Sequence, residues 1–191
     1  MRALILDGAR DDERTLRDLR AAVTGELFAA GYGIDEWILR ETPIQPCEGD
    51  FGCLVKTPGV CGHADAGREI VEQFVRSDLT VWLSPVTFGG YSAQLTKAVD
   101  RLGCPLIWPS LSKLHGQHHY RPRYDAYPKL LVLGVSDERD AESERLLRAL
   151  VARNAMTLYL PSHAVGVIAP GKPEAELRST ARRLLRTVRA D

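Results

Sequence analysis

The chain has 191 residues, 45% of them hydrophobic and 26% charged, an ordinary globular composition long enough to bury a core between two helical layers. Lys and Arg number 25, as do Asp and Glu, so the formal net charge is zero; this excludes nucleic acid and anionic membrane, which need a basic face, as main partners. No apolar run approaches the roughly 20 residues that cross a bilayer, and the apolar N-terminus is too short for a secretory signal, so a cytoplasmic protein with reduced cysteines is expected.

Residues 2–7 are an apolar run closed by Asp7-Gly8 and predict a buried strand. Leu16, Leu19, Val23 and Leu27 then share one helical face, ending near Gly31 or Gly33. A second strand is expected over 34–40. After a cysteine-bearing loop, Ile70, Val71, Phe74 and Val75 mark an amphipathic helix. Residues 79–83 predict a third strand, stopped by Ser84-Pro85. Leu95, Ala98, Val99 and Leu102 line a helix that opens near Tyr91-Ser92.

Residues 103–129 break the rhythm and read as a loop excursion around a short strand at Leu106 and Ile107. Residues 130–135 resume with a near-continuous apolar run. A helix over 141–153 carries Leu146, Leu147, Leu150 and Val151, and 156–160 predicts the last central strand. Pro173 starts a final helix, where its missing N–H does no harm, with Leu177, Ala181, Leu184, Leu185 and Val188 as its buried stripe. Arg182, Arg183, Arg186 and Arg189 form its solvated face.

Strands joined through helices lie parallel with right-handed crossovers. Five of them make a three-layer, doubly wound α/β sheet, and residues 1–191 read as a single domain. Ligands of such sheets sit outside the carboxyl ends of the strands.

The segment from Ser84 to Lys97, followed by Asp100-Arg101, leaves a strand and enters a helix at that edge. Gly89 and Gly90 allow a tight turn and a close approach to a flat ligand, and Phe88 and Tyr91 add aromatic surface. This segment resembles the S-P-x-Y/F-x-G-x-x-S-x-x-L-K…D-R pattern of the NAD(P)H-dependent FMN reductases and iron–sulfur flavoproteins. The stretch from Cys47 to Cys61 is similar to their C-x-G-C-F-x-C-W-x-K-T-P-G-x-C. The resemblance implies a flavodoxin-like fold with strand order 2-1-3-4-5 and FMN held by backbone loops. Its ring would lie at Pro85, Val86, Thr87, Phe88, Gly89 and Gly90, with Ser136 on the ring's other side.

The first strand-to-helix loop departs from the family's hydroxyl-rich turn. A helix N-terminus attracts anions, yet Asp11, Asp12 and Glu13 can occupy its free N–H groups as cap and first-turn carboxylates. Either the FMN phosphate docks near Gly8 between Arg10 and Thr15, or the pocket is weakened or lost. The cysteine loop departs too, with Asp50 where the family has a second cysteine. An iron–sulfur cluster wants four thiolates, and Cys47, Cys53 and Cys61, with Asp50 or His63, would have to serve for a metal. The reading preferred is a loop of free or buried thiols without metal.

In the excursion, His118, His119 and Tyr120 read either as a lid over the substrate beside the flavin, with a histidine as proton donor, or as packing surface. The resemblance implies an oxidoreductase passing hydride from NAD(P)H to FMN and on to a small-molecule electron acceptor, with no catalytic side chain, in a homodimer or homotetramer. Two alternatives stand beside it: an electron carrier combining FMN with a metal cluster, and a binding or interaction protein of this fold that has lost its flavin.

Overall fold

In a computed structural model, residues 1–11, 13–114, 116–136 and 141–190 are described. Strand β1 (Arg2–Asp7) leads into helix α1 (Arg14–Ala29) and strand β2 (Gly33–Ile38). The cysteine-bearing loop holds one helical turn, α2 (Gly52–Val55), and is followed by α3 (Ala66–Val75), β3 (Leu79–Pro85) and α4 (Ala93–Leu102). A 3-10 turn (Cys104–Leu106) precedes β4 (Ile107–Leu114) and β5 (Gln117–Pro122). The chain closes with β6 (Lys129–Val135), α5 (Ala141–Thr157), β7 (His163–Ile168) and α6 (Glu174–Ala190).

Five strands form one sheet in the order β2-β1-β3-β6-β7, all neighbours parallel. This is the expected order once the two strands of the excursion are set aside. Because strand side chains alternate between faces, β1 sends Ala3 and Ile5 to one core and Leu4 and Leu6 to the other. The first core packs under α1 and α6 through Leu16, Leu19, Leu177 and Leu184. The second packs under α3, α4 and α5 through Phe74, Leu95 and Leu147, around the fully buried Trp82. No helix of the described residues is long and apolar enough to cross a membrane.

Two expected elements are corrected. Residues 156–160 are not a strand: α5 runs on to Thr157, Tyr159 turns left-handed at φ 59, and the last strand is His163–Ile168. The short apolar run Met156–Leu160 has a composition that suits helix and strand alike. Bonds from the N–H of Leu158 to Asn154 O and of Leu160 to Ala155 O continue the helix and close its end. The excursion also carries more regular structure than a short strand at Leu106 and Ile107. Strands β4 and β5 pair antiparallel, with a register shift between Trp108 and Leu111. That shift surrounds Pro109, which cannot donate to a ladder and interrupts the alternation that would have revealed the strand.

Strand β7 is an edge of the sheet. Its even-numbered residues face β6, as the bonds from Leu130 N to Ser162 O and from Ser136 N to Ile168 O show. The carbonyl of Val165 therefore faces outward, where Arg148 of α5 donates to it from Nη1 at 3.1 Å.

Candidate functional site

Strands β1, β3 and β6 end side by side at Asp7, Pro85 and Val135, so the loops that follow them share the carboxyl edge of the sheet. The first of these loops is shaped by a buried carboxylate. Asp7 is 1% exposed, accepts the N–H of Ala9 on Oδ1 at 2.9 Å, and has Arg20 Nε 3.5 Å from Oδ2. Its neighbour Gly8 donates to Leu83 O at 2.7 Å. A Cβ on Gly8 would meet Leu95 Cβ at 2.7 Å and Leu83 O at 2.9 Å, so the loop crosses β3 with no room for a side chain.

Two serines lock the loop after β3 onto the first. Ser92, at the N-cap of α4, donates its hydroxyl to Gly8 O at 2.5 Å and accepts the N–H of Leu95 at 3.2 Å. Ser84 accepts the N–H of Ser92 at 2.8 Å and donates to Pro85 O at 2.8 Å. Between them, Thr87 and Gly90 exchange backbone bonds of 3.0 and 2.8 Å around Phe88 (φ 49) and Gly89 (φ 74). Left-handed conformations at both central positions define the tight turn that joins antiparallel arms. Phe88, at its tip, is 98% exposed, and Gly89 packs against Leu146 of α5.

This pairing uses donors that sequence reasoning assigned to a ligand. The N–H groups of Val86, Thr87, Gly90 and Ser92 are bonded within the protein, Val86 to Val135 O at 2.7 Å. Those of Phe88, Gly89 and Tyr91 take no part in these bonds. Tyr91 turns inward, its ring edge-on to Trp82 at 5.7 Å and its hydroxyl 3.2 Å from Asn154 Nδ2; burial raises its pKa. Phe88 is thus the aromatic ring of this loop that faces outward.

Arg10 joins the two loops, donating from Nη2 to Thr87 Oγ1 at 3.0 Å. At the start of α1, Glu13 makes no side-chain cap bond and the first turn holds no acidic residue; Asp12 lies outside the described residues. Among the described residues, the N–H of Ala9 goes to the Asp7 carboxylate, a residue not among the expected ligands or caps. Its signal was a lone acid closing an apolar strand.

The structure thus brings Gly8, Arg10 and the residues from Pro85 to Gly90 together. Thr15 turns toward the loop after β7, its Oγ1 accepting from Gly171 N at 3.4 Å, and lines a cleft of about 680 Å³ with Arg14 and Lys172. Ser136 follows β6, donating its N–H to Ile168 O at 3.1 Å, and lines a separate cleft of about 380 Å³ with Lys172 and Arg183. His118, His119 and Tyr120 stand elsewhere. They line a small cavity with Thr157 and Tyr159, past the C-terminal end of α5 and so toward the amino edge of the sheet. The hairpin reaches that end because α4 has already carried the chain down from the carboxyl edge. Within one chain these three residues do not join the loops after β1 and β3.

The second motif is fastened to the first by Arg101. Only 2% exposed, it donates from Nη1 to Gln45 O (2.8 Å) and Asp65 Oδ2 (3.0 Å), and from Nη2 to Asp65 Oδ1 (2.9 Å). Asp65 also caps α3, accepting from Gly67 N at 3.0 Å. Burial alone would raise the Asp65 pKa, but the Arg101 guanidinium and the N–H groups of Gln45 and Gly67 outweigh it and hold the carboxyl below its usual range. In the cysteine loop, burial first, then the neighbouring thiols, pushes Cys53 up to about 12. Among the described residues no three His, Cys, Asp or Glu side chains are arranged to hold a metal ion, so Cys47, Asp50, Cys53 and Cys61 form no such site there.

The sequence model of the NADPH-dependent FMN reductases matches residues 1–167. No curated protein matches the sequence. Among solved structures, an NAD(P)H:quinone oxidoreductase from Methanothermobacter marburgensis superposes with a TM-score of 0.74 at 16% identity, over 98% of this chain and 96% of that one. An azoreductase from Bacillus anthracis str. Sterne gives 0.70 at 14% identity over the whole of both chains. An NADH:FMN oxidoreductase gives 0.66 at 12%, over 99% of this chain and 88% of the other. At these identities the likeness is one of fold.

Proposed function

This chain belongs to the NADPH-dependent FMN reductase family, and from that we propose that the loops after β1 and β3 are where it holds FMN. The chain is accordingly an NAD(P)H-dependent flavin oxidoreductase. The observation that carries the placement of the cofactor is the Arg10–Thr87 bond, which sets a guanidinium between the two loops.

The residues present fit a flavin mononucleotide. Arg10 supplies positive charge for a phosphate, and α1 begins close by without a side-chain cap bond from Glu13, so its dipole and first N–H groups favour an anion. The backbone from Pro85 to Gly90 offers the N–H groups of Phe88 and Gly89 to the polar edge of a ring, with Phe88 as apolar surface beside it. Gly8 supports the site from behind, while Thr15 and Ser136 line other clefts and have no contact with the flavin in this reading. FMN, when bound, supplies the acceptance and release of hydride. The protein's part is to fix the ring, to neutralise the phosphate and to keep water from the reacting face.

A small-molecule electron acceptor, met beside Phe88, completes the cycle. Quinone and azo compounds, named for the structurally similar enzymes, are the first to assay. The working unit is a homodimer or homotetramer in the cytoplasm, and light scattering reports its size. His118, His119 and Tyr120 of one copy then have a role at the flavin only if they reach the carboxyl edge of another.

FMN titration tests the assignment. Native protein should quench flavin fluorescence, and Arg10→Ala should weaken binding about tenfold, the worth of one charge-assisted hydrogen bond. Quenching unchanged in Arg10→Ala would place the phosphate elsewhere. Protein that stays colourless and quenches nothing would favour the flavin-free binding protein.

A further inference from the structure

Apart from the clefts already described, one of about 440 Å³ lies between α3 and the chain that enters and leaves the β4–β5 hairpin. Its volume is within the range of about 300–1,000 Å³ that small-molecule sites occupy. Val71 and Val75 of α3 supply one apolar wall, and Pro105 and Tyr124 another. The Tyr124 ring is held edge-on to Tyr127 at 6.1 Å, and its N–H donates to the Tyr127 hydroxyl at 3.2 Å. That hydroxyl donates in turn to Leu106 O at 2.5 Å. The walls are therefore fixed by the fold itself.

The charge at this cleft is one-sided. Arg76 and Glu72, both lining it, neutralise each other at 2.8 Å. Arg68, also lining it, donates from Nε to Cys61 O at 2.8 Å and from Nη2 to Gly62 O at 3.1 Å. These neutral acceptors fix the guanidinium and leave its charge whole, and Nη1 has no protein acceptor among the described residues. Arg123 adds a second cation behind the wall. It donates from Nε to Pro105 O at 3.0 Å and from Nη2 to Ile107 O at 2.6 Å, and a Cβ on the lining residue Gly59 would meet its Nε at 3.5 Å. Among the described residues, neither Arg68 nor Arg123 forms an ion pair. Positive charge of one sign beside low-dielectric walls focuses a field that draws an anion. The planar fork of a guanidinium matches a carboxylate.

We propose that this cleft binds small aromatic carboxylates. The carboxylate accepts from Nη1 of Arg68, Arg123 adds attraction from behind the wall, and the ring lies against Val71, Val75 and Tyr124. An uncharged aromatic molecule would cover Arg68 without giving it an acceptor, and a small inorganic anion would leave the apolar walls wet. None of these residues belongs to the loops proposed to hold FMN, so binding here neither requires that assignment nor follows from it.

Full-length protein as purified, isotope-labelled and followed by amide nitrogen–proton NMR, tests the proposal. The probes are 2-naphthoate and its uncharged counterpart 2-naphthalenemethanol. Naphthoate should shift the amides of Val71, Val75 and Tyr124 and bind at least about tenfold more tightly than the alcohol, as a charge-assisted hydrogen bond warrants. Arg68→Gln, at an exposed position, should lower the affinity for naphthoate to that for the alcohol and leave the alcohol's unchanged. Equal affinities for acid and alcohol in the native protein overturn the proposal, as does naphthoate binding that Arg68→Gln leaves unaltered. Shifts confined to the loops after β1 and β3, or no shift up to the solubility limit of naphthoate, overturn it too.

Discussion

A methyl group on Gly8 would collide with Leu95 Cβ and the Leu83 carbonyl, neither the movable end of a flexible side chain. Gly8→Ala should therefore cost about 1–3 kcal/mol, as other overpacked sites do, read as a lower urea midpoint with an unchanged slope. Arg101 and Asp65 give a pH prediction. Because the folded Asp65 pKa lies below its unfolded value near about 3.9, the pair stabilises the protein fully above that value. The contribution is lost as pH falls through the lower, folded pKa. Asp65→Asn leaves the Arg101 charge buried without its partner and should cost on the order of 3 kcal/mol at neutral pH. The variant should also lose stability less steeply than the parent below pH 4 in urea unfolding followed by circular dichroism. At this scale the sequence showed which residues recur with the motif, among them the Asp100-Arg101 pair. It did not show that Arg101 faces the cysteine loop, since that partnership spans 36 residues and depends on how α4 packs beside α3.

Helices and strands with strong periodicity were legible because one buried face dictates the spacing: α1, α4 and α6 carry the stripes that their sequences announce. Legibility failed where local signals were ambiguous or overridden. Met156–Leu160 offers no period long enough to separate a helix end from a strand, and Pro109 hides the alternation of β4 behind a bulge. The turn at Phe88-Gly89 was visible as glycines, but not as a closed pair of bonds between Thr87 and Gly90, because Phe88 is a residue that rarely turns left-handed. The hairpin has a specific tether, the Tyr159 hydroxyl donating to the Tyr120 carbonyl. Tyr159→Phe removes that bond and keeps the ring. Amide exchange in β4 and β5 should then quicken severalfold, with β1, β3 and β6 unchanged; uniform exchange across the molecule would mean the tether carries nothing.

For the molecule as a whole, alternation of strands and helices was enough to predict three layers of parallel sheet and helices, because such connections demand parallel pairing with right-handed crossovers. The strand order came from the family resemblance, since those rules alone leave more than one order open. Nor was alternation enough to tell at which end of the sheet the excursion would emerge. That depends on α4 descending from the carboxyl edge before the 3-10 turn. The outcome separates the histidine-bearing hairpin from the loops proposed to bind FMN within one chain.

The outward carbonyl of Val165 gives the edge of the sheet a wider meaning. A strand with unfilled hydrogen-bonding positions is a template on which another chain can grow. Arg148 covers one such position while sharing its charge with Glu144 at 2.6 Å. Arg148→Ala should leave FMN affinity intact yet raise light scattering and thioflavin fluorescence during mild heating, and an unchanged heating profile would refute that role. Solubility on warming would then depend in part on a guanidinium remote from the redox chemistry, and selection for activity alone would have no reason to retain it.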